Sequence, residues 1–570
     1  MNEVELEQLV RPNLDSRGKN KSKIGRFYDG RRVFVTGATG FVGRLLIEKL
    51  LRACVGIERI FVLVRAKRGK SPKERLQQIT SSLIFDGVRQ SLNKLVAIEG
   101  DLTKECYGLS QESLKLLKDE EVSVIFHSAA SVNFHEPLRD ATLTNLVGAY
   151  NAIKLAKELP SLVALVHVST AYSNCTIHDT PIEERVYRSS MDPTVMIQMS
   201  ETLDREAMEM IKKHLIGSYP NTYTYTKNLA ETLLLNHSTE LPIIICRPSV
   251  VVCTWREPIQ GFVDNINGGN GIQYGPACGI SVAMQADENI TLDWIPVDLV
   301  VNCCIALGWF CAKYHQLRKV NFNVESSEST GRTDDDDDEE ERLLANKMKD
   351  FYEKQVAVAK AQSDEHQTYL PVFHATSGIT KDTLTIGEFS RKMVAYANKY
   401  PTLQLYRCPT ISYWSSKHMA KIAIFFQNTS IAKLMDFLKK HGLFNPEVYD
   451  KNDEVFKKEF GFRCGKIDRF CRTIVYFCTR EWDFKINNRL QLYDQFMSPE
   501  DRRLFNCDFR RLDWDDYCET YALGIRKFLL KEPIETLERA RSRLGLISLR
   551  NSIAQLVLVV TMIYFLMLLF

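Results

Sequence analysis

The chain has 570 residues, 45% of them hydrophobic, which supplies cores for roughly two to four globular units and excludes a chain that is disordered throughout. Its 74 basic and 71 acidic residues give a formal charge of only +3, so we expect no nucleic-acid partner. Fifteen cysteines are about 3% of the chain, far below the roughly 8–10% of a disulfide scaffold. No Cys-x-x-Cys pair occurs, so this motif gives no indication of a metal site.

The N-terminal segment is polar and rich in Lys, Arg and Asn, and we predict a flexible arm over residues 1–30. The acidic start Met1–Leu6 lacks the apolar core of a secretory signal. We therefore expect the body of the chain to lie in a reducing, cytosol-like compartment.

Short β-rich runs recur after the arm, separated by segments with helical periodicity. The runs are Arg31–Thr36, Ile60–Arg65, Leu95–Asp101, Val122–Ala130, Leu162–Thr170 and Ile243–Val251. Such runs are typical of a parallel sheet with helices on both faces. The sequence thus predicts an α/β, Rossmann-like doubly wound domain over residues 31–398.

A glycine-rich turn, TGATGFVG, follows the first run and leads directly into an amphipathic helix. Glycines at 37 and 40 permit a tight turn with bare backbone N–H groups for a pyrophosphate, and a glycine at 43 lets the helix pack close to the strand. The residues expected to contact a dinucleotide here are Gly37, Thr39, Gly40, Phe41, Val42 and Gly43.

Basic side chains end the second run. Arg65, followed by Lys67 and Arg68, stands where a site for NAD usually has an Asp or Glu that holds the ribose hydroxyls. A guanidinium suits a 2′-phosphate instead. The sequence therefore favours NADPH over NADH, with Arg65 and Lys67 as cofactor-binding residues.

A Tyr-x-x-x-Lys pair lies downstream of this turn. Tyr223 and Lys227 would share one helix face, where the ammonium is expected to lower the pKa of the phenol. Ser169 and Thr170, at the end of the fifth run, place a Ser/Thr strand end between the glycine-rich turn and this pair. We predict a catalytic role for Tyr223 and Lys227.

The composition changes between about residues 325 and 367, where eight consecutive acidic residues run from Asp334 to Glu341. This block cannot form a core, and we interpret it as a solvated, flexible insertion. Because the strand-like run Tyr369–Ala375 follows it, we place the insertion within the first domain.

Residues 399–540 carry aromatic and charged side chains at helical spacing, and we predict a separate, mainly helical domain there. Cys464, Cys471 and Cys478 recur every seven residues, near one helix face. We expect them to pack in a core rather than to bind a metal.

The last eighteen residues, Ile553–Phe570, carry no charge and would extend about 27 Å as a helix, close to the roughly 30 Å of bilayer hydrocarbon. Arg541, Arg543 and Arg550 precede this segment, as expected on the cytoplasmic side of a membrane. We predict a transmembrane tail anchor over residues 553–570, with a buried terminal helix as the alternative.

These motifs together resemble the extended short-chain dehydrogenase/reductase superfamily. The glycine-rich turn, GDL after the third run, HSAA, TNLVGAYN and the Tyr-x-x-x-Lys pair carry the broad resemblance. Further segments narrow it to the fatty acyl-CoA reductases: HSAASVNF, VHVSTAYSN, NTYTYTKNLAE, CRPSVV, EPIQGFVDN, WIPVD and DFRRLDWDDYCETYALGIRKFLLKE. The resemblance covers about residues 31–531, apart from the acidic insertion.

The resemblance implies that Tyr223 is the proton donor and that Lys227 binds the nicotinamide ribose and tunes Tyr223. Thr170 or Ser169 would then orient the carbonyl oxygen, and we prefer Thr170. Tyr223 and Lys227 match the family's Tyr-x-x-x-Lys motif in this sequence.

The resemblance also assigns cofactor contacts outside the glycine-rich turn. Asp101 would contact the adenine, Ala129 would line the cofactor, and Asn145 would position water or Lys227. A structural role within its helix is the alternative for Asn145. Arg247 and Pro248 of CRPSVV are expected to border the cofactor.

The activity implied by this resemblance is NADPH-dependent reduction of a long-chain or very-long-chain fatty acyl-CoA to the primary alcohol, with release of CoA. Similar reductases stop at the aldehyde, and the residues do not separate the two products. An extended reductase or epimerase acting on a nucleotide sugar or a steroid is a second hypothesis, and a membrane-bound NADPH-binding scaffold is a third. The catalytic domain would face the cytosol at the endoplasmic reticulum or the peroxisome, in contact with membrane lipid, in an oligomeric state that the sequence does not indicate.

Overall fold

The computed structural model describes residues 22–280, 282–319, 335–361, 369–378, 383–426 and 471–552. Its largest sheet has seven parallel strands in the order β10-β6-β5-β4-β1-β2-β3. The strand bounds are β1 Arg32–Thr36, β2 Arg59–Val64, β3 Leu95–Glu99, β4 Val124–His127, β5 Ala164–Val168, β6 Ile243–Pro248, β7 Val250–Val252, β8 Ala283–Met284, β9 Trp294–Pro296, β10 Val372–Ala375 and β11 Ser412–Tyr413.

The predicted parallel α/β sheet is confirmed, and every predicted run contains a strand. One run is divided: the predicted Ile243–Val251 becomes β6, which ends at Pro248, and the short β7, which pairs with β9. Proline has no N–H with which to continue a ladder, so the chain leaves the central sheet there. The order reverses between β1 and β4, and ligands of open α/β sheets bind at such switch points.

Helices cover both faces of the sheet and continue into the C-terminal part. The α-helices are Lys23–Phe27, Phe41–Ala53, Pro72–Thr80, Gln111–Asp119, Leu138–Ala141, Val147–Glu158, Pro193–Thr202, Arg205–Ile216, Thr222–Asn236, Gly269–Ala277, Val297–Lys319, Asp335–Ala361, Ile386–Lys399, Lys417–Ile424, Asn487–Gln491, Pro499–Leu504 and Trp514–Gly524. Residues 471–478 and 537–552 are also helical.

The predicted flexible arm is wrong over residues 22–30, whereas residues 1–21 lie outside the described part of the chain. Ser22 caps the helix Lys23–Phe27, and its hydroxyl donates to Asp501 at 2.6 Å. Tyr28 is fully buried and donates its hydroxyl hydrogen to the carbonyl oxygen of Ile305 at 2.8 Å. Long-range partners supply these contacts, and the local composition does not reveal them.

The acidic insertion is also more ordered than its composition predicts. Residues Asp335–Ala361 form one helix, and its buried Met348 and Phe351 join the hydrophobic core. The phenyl ring of Phe351 packs on that of Phe373 in β10, with centroids 6.0 Å apart. The apolar residues that follow the acidic block therefore attach this helix to the reductase domain.

The C-terminal part is mainly helical over its described residues, as predicted, but most of their buried apolar side chains join the core of the reductase domain. Cys471, Cys478, Tyr517 and Tyr521 belong to the same buried cluster as the helix Val297–Lys319. Helical spacing predicts the helices without identifying the surface on which they pack. The two cysteines are core residues, and Cys464 lies outside the described residues.

Membrane crossing was predicted for residues 553–570, which lie outside the described residues. Among the residues that are described, only Val297–Lys319 has the length and hydropathy of a membrane span. That helix is 89% buried over its most apolar stretch and contacts β5, β6 and the helix Phe41–Ala53. It is therefore a central core helix of the protein.

Candidate active site

The glycine-rich turn lies at the carboxyl end of β1, where the strand order reverses. Gly37 adopts φ +84°, and a Cβ atom there would approach the backbone nitrogen of Ala129 to 2.7 Å. Gly43 packs so closely that an added Cβ would lie 2.2 Å from the carbonyl oxygen of Gly37. Gly40 has φ −86°, so its backbone does not require glycine, in contrast to our expectation for the turn.

The first turn of the helix Phe41–Ala53 is available to an anion. Its N-cap residue Gly40 forms no side-chain capping hydrogen bond, and Thr39 and Gly40 are exposed, whereas Phe41 and Val42 are half-buried. Free N–H groups at a helix N-terminus attract phosphate groups. The arrangement fits the pyrophosphate of a dinucleotide.

The carboxyl ends of β2 and β3 place Arg65 beside Asp101. The Arg65 guanidinium donates to the Asp101 carboxylate at 3.3 Å, and 58% of its side chain is exposed. Burial opposes ionisation of Asp101, but hydrogen bonds from Thr103 and Arg65 prevail and lower the pKa of Asp101. Lys67 lies in an exposed turn beyond Arg65. A largely exposed guanidinium and the carboxylate that holds it thus lie at the edge of the nucleotide cleft.

Tyr223 and Lys227 occupy the first turns of the helix Thr222–Asn236, as their spacing predicts. The Lys227 ammonium is buried and donates to the carbonyl oxygen of Val168 at 2.8 Å, and burial lowers its pKa to about 8. The expected lowering of the phenol pKa by Lys227 is wrong for this structure. Desolvation raises the pKa of Tyr223 to about 12, and a hydrogen bond with Thr170 only partly offsets it.

The two candidate hydroxyls at the end of β5 point to different partners. The Thr170 hydroxyl lies near enough to the phenol of Tyr223 to lower its pKa. The Ser169 hydroxyl donates to the carboxylate of Glu231 at 2.5 Å. The structure therefore brings Thr170 to the phenol, while Ser169 is held by a buried acid.

Arg247 does not border the cleft, in contrast to its expected contact with a cofactor. It is fully buried and forms a bidentate pair with Glu231, with Nε–Oε1 and Nη2–Oε2 distances of 2.9 and 2.6 Å. Its Nη1 also contacts the ring nitrogen of His374 at 3.1 Å. The neighbouring Pro248 lies closer to the catalytic group, because its carbonyl oxygen accepts the Thr170 hydroxyl at 3.5 Å.

Asn145 connects two parts of the site. Its amide nitrogen donates to the hydroxyl of Thr226 at 3.0 Å, and its amide oxygen accepts the N–H of Ser131 at 2.8 Å. It lies in the π-helical turn Thr142–Leu146, a feature frequent at functional sites. These bonds agree with the structural alternative for Asn145, which holds the loop after β4 against the catalytic helix.

Ala129 lies directly behind the glycine-rich turn. Its N–H donates to the hydroxyl of Thr36 at 3.3 Å, and the Ser128 hydroxyl donates to the carbonyl oxygen of Thr36 at 2.8 Å. Ala129 thus joins the ends of β1 and β4 at the floor of the cleft.

Three residues of the site escaped the sequence analysis: Glu231, Phe134 and Phe477. Glu231 follows Lys227 by four residues, a repeat of the Tyr–Lys spacing that the sequence does show. The Phe134 ring stacks on that of Tyr223, with centroids 5.6 Å apart, and Phe477 of the C-terminal part packs on Phe134. No sequence signal connects positions so distant in the chain.

The site combines a dinucleotide cradle with a phenol, a hydroxyl and a buried ammonium at the carboxyl ends of adjacent strands. Phenol and hydroxyl together can hold a carbonyl oxygen and supply a proton to it. This fold and these groups define an oxidoreductase of the Rossmann class that uses a nicotinamide cofactor. Within the described residues, no group of three or more His, Cys, Asp or Glu side chains is arranged to hold a metal ion.

Comparisons with known proteins agree with this class. Two family models, both described as male sterility protein, match residues 35–304, as an NAD-binding domain, and residues 457–532. The chain is 32% identical to "Fatty acyl-CoA reductase 1" of Xenopus laevis over 532 residues, covering 93% of this chain and 90% of that protein. It is also 32% identical to "Fatty acyl-CoA reductase 2" of Homo sapiens, with 92% and 89% covered. The chain belongs to the fatty acyl-CoA reductase family.

The fold also matches a solved structure, the reductase domain of a nonribosomal peptide synthetase from Mycobacterium tuberculosis. The TM-score is 0.51 at 16% identity, and the match covers 93% of this chain and 96% of that one. The match includes the C-terminal part and concerns the fold alone.

Proposed function

We propose that this protein reduces long-chain or very-long-chain fatty acyl-CoA to the primary alcohol with NADPH, through an aldehyde, and releases CoA. The observation that carries the proposal is the placement of Tyr223 and the buried Lys227 on one helix that docks on the end of β5, where Thr170 lies, beside the dinucleotide cradle. The relatives named as fatty acyl-CoA reductases, which match nearly the whole chain, supply the substrate class.

The chain's own groups account for handling of the carbonyl oxygen. Bound NADPH supplies hydride to the carbonyl carbon of the substrate. Tyr223 and Thr170 hold the oxygen while negative charge develops on it, and the phenol then gives up its proton. Because burial keeps the pKa of Tyr223 near 12, the phenol is protonated at neutral pH and ready to donate. A thioester so reduced becomes a hemithioacetal, which loses CoA to leave an aldehyde, and the same groups serve its reduction.

The preference for NADPH rests on Arg65. Its largely exposed guanidinium follows β2 and is held by Asp101, which follows β3. A guanidinium there would favour a dinucleotide that carries a 2′-phosphate. NADH lacks this phosphate and would not use that interaction.

Product analysis tests the proposal directly. Purified protein is incubated with NADPH and hexadecanoyl-CoA, and the products are identified by mass spectrometry. We expect hexadecanol, free CoA and two NADPH consumed for each thioester. Hexadecanal as the end product would restrict the activity to the first reduction. Turnover of a nucleotide sugar instead, or cofactor binding without any turnover, would contradict the proposal.

Tyr223→Phe tests the chemical role of the phenol. Loss of a general acid typically costs 10²–10⁴-fold in rate, so we expect kcat for hexadecanoyl-CoA to fall by about that factor. The affinity for NADPH, measured by its fluorescence, should change little because the ring remains. Near-normal turnover by this variant would remove Tyr223 from the mechanism.

We further propose that residues 553–570 anchor the protein in a membrane, with the reductase facing the cytosol at the endoplasmic reticulum or the peroxisome. The segment is uncharged, and basic residues precede it. Greasy substrates and products partition into lipid, so anchoring keeps the site near them. Fractionation of the full-length chain, with organelle markers, tests both the attachment and the compartment.

A further inference from the structure

A continuous row of rings connects the catalytic phenol to the C-terminal part of the protein. Phe134, in the loop after β4, stacks on Tyr223 with ring centroids 5.6 Å apart and planes 22° apart. Phe134 in turn packs on Phe477, from the helical residues 471–478, with centroids 5.6 Å apart. The C-terminal part thus contributes a side chain one ring away from the proposed proton donor.

Phe477 is fixed in this position by its surroundings. It is 7% exposed and packs edge-on against Tyr172, which follows Thr170 by two residues, at 5.2 Å. The indole of Trp482 and the hydroxyl of Tyr476 both donate to the carbonyl oxygen of Cys175, at 3.2 and 3.0 Å. Polar and apolar contacts therefore dock the segment that carries Phe477 on the loop after β5.

The position of the rings restricts how a substrate can approach. Phe134 covers one face of the Tyr223 ring, and Thr170 lies near its phenol group. A carbonyl that approaches the phenol on the side of Phe134 brings its neighbouring carbon atoms against that ring. Because Phe477 packs behind Phe134, that ring has little freedom to give way.

We propose that Phe134 and Phe477 form the wall of the acyl subsite beside the reacting carbonyl. Phe477 determines specificity, because it restricts the site to acyl chains that are unbranched at the carbon next to the thioester. The proposal rests on acyl-CoA reduction as the function. It adds that the C-terminal part supplies a wall of the reaction chamber.

The physical basis is the space that a branch requires. A methyl group on the carbon next to the carbonyl would meet the Phe134 ring, which Phe477 supports. Trimming Phe477 leaves a cavity into which Phe134 can move, since protein interiors relax partly around a removed group. One methyl group in an apolar pocket changes selectivity by about 10–200-fold.

The chain offers a matched pair of variants, Phe477→Leu and Phe484→Leu. Both rings are buried and pack edge-on against Tyr172, at 5.2 and 5.3 Å, so both variants lose similar packing. Within the described residues, Phe477 is the one of the two that packs on Phe134. The measured quantity is kcat/KM for 2-methylhexadecanoyl-CoA divided by kcat/KM for hexadecanoyl-CoA, with NADPH saturating.

For Phe477→Leu we expect this ratio to rise by about tenfold or more, whereas Phe484→Leu should leave it within about twofold of the wild type. NADPH affinity and the melting temperature, measured in parallel, identify variants that have lost their fold. Phe134→Leu is the second variant if Phe477→Leu does not fold, and it should shift the ratio in the same direction.

An unchanged ratio in folded Phe477→Leu, or equal shifts in the two matched variants, would overturn the proposal. Failure of the proposed function has a different signature, because the wild type would then reduce neither thioester. A wild-type protein that reduces both thioesters equally well would agree with the proposed acyl-CoA reduction and would contradict the proposed selectivity of the wall.

Discussion

Glu231 is a buried acid that joins the helix Thr222–Asn236 to the ends of β5 and β6. Its carboxylate is fully buried and accepts hydrogen bonds from Ser169, Ser173 and Arg247. It lies four residues beyond Lys227, and its charge raises the pKa of that ammonium against the larger, opposing effect of burial. Glu231 therefore helps to keep Lys227 charged near neutral pH and holds the strand end that carries Thr170.

Glu231→Gln should consequently alter the pH dependence of cofactor use. Lys227 has a pKa of about 8 in the cofactor-free protein, so its charge is lost as the pH rises through that value. Without the carboxylate this pKa falls, and the alkaline limb of kcat/KM for NADPH should move to lower pH by about one unit.

Ser173→Ala is the control, since it removes a hydrogen bond to the same carboxylate, 3.1 Å long, and leaves the charge in place. We expect its alkaline limb to coincide with that of the wild type. A Glu231→Gln limb that does not move, in a folded protein, would show that Glu231 has no electrostatic effect on Lys227.

Arg65 supports a second prediction at the scale of single residues. Arg65→Asp should weaken NADPH binding by about tenfold or more, because a carboxylate then faces the 2′-phosphate and also repels Asp101. Binding of NADH, which has no such phosphate, should change far less. Fluorescence titration with both cofactors measures the two affinities, with Lys67→Asp as an exposed neighbour for comparison. Equal losses of affinity for the two cofactors would show that Arg65 does not interact with the 2′-phosphate.

Local spacing explains which site residues the sequence identifies. Tyr223 and Lys227 share a helix, and the glycine-rich turn follows its strand directly, so short-range rules suffice to place them. The roles of Arg247 and Phe477 depend on partners that only the folded chain brings near. The phenol pKa likewise follows from burial in the folded protein, which the Tyr–Lys spacing alone does not reveal.

At the scale of elements, two glycines of the nucleotide turn have different physical roles. Gly43 has no room for a side chain, because an added Cβ would lie 2.2 Å from a backbone oxygen between β1 and its helix. At Gly40 the nearest atom to an added Cβ is 3.2 Å away, and the backbone is ordinary. The first constrains the packing of strand and helix, whereas the second lies where a pyrophosphate must approach.

The variants Gly43→Ala and Gly40→Ala should therefore separate stability from binding. We expect Gly43→Ala to reduce the free energy of unfolding by about 1–3 kcal/mol through overpacking, measured by thermal or denaturant unfolding. Gly40→Ala should retain the stability of the wild type and lose affinity for NADPH. The same stability loss in both variants would contradict this division.

The sequence predicts the doubly wound parallel sheet, because alternating β-rich and helical runs leave few possible arrangements of the strands. The sequence analysis was wrong about segments whose composition is polar, because their few apolar residues pack on residues that are distant in the chain. Phe351 in the insertion and Tyr28 near the N-terminus are two such residues. Burial of a single large ring stabilises by about 1.5–3 kcal/mol, and it adds to the neighbouring buried contacts that attach each segment.

At the scale of the whole molecule, hydrogen bonds join the C-terminal part to two early helices, Lys23–Phe27 and Phe41–Ala53. Asp501 accepts hydrogen bonds from Ser22 and from the backbone of Ile24. The buried ammonium of Lys49, on the helix after the glycine-rich turn, donates to the carbonyl oxygen of Leu504 at 2.6 Å and also to Glu257. A polar network and a shared core thus join segments that are more than 450 residues apart in the chain.

Two truncations test this unity. Deleting residues 553–570 removes the proposed membrane anchor, and we expect a protein that leaves the membrane fraction, unfolds in one cooperative transition and retains NADPH binding. Ending the chain at residue 398 exposes the apolar surface that Tyr517, Tyr521 and Cys478 cover, and removes the backbone acceptor of Lys49 at Leu504. The loss of core packing is strongly destabilising, so this shorter chain should not fold cooperatively. Calorimetry distinguishes the outcomes, and a stable, cofactor-binding fragment of residues 1–398 would show that the reductase sheet forms an independent domain after all.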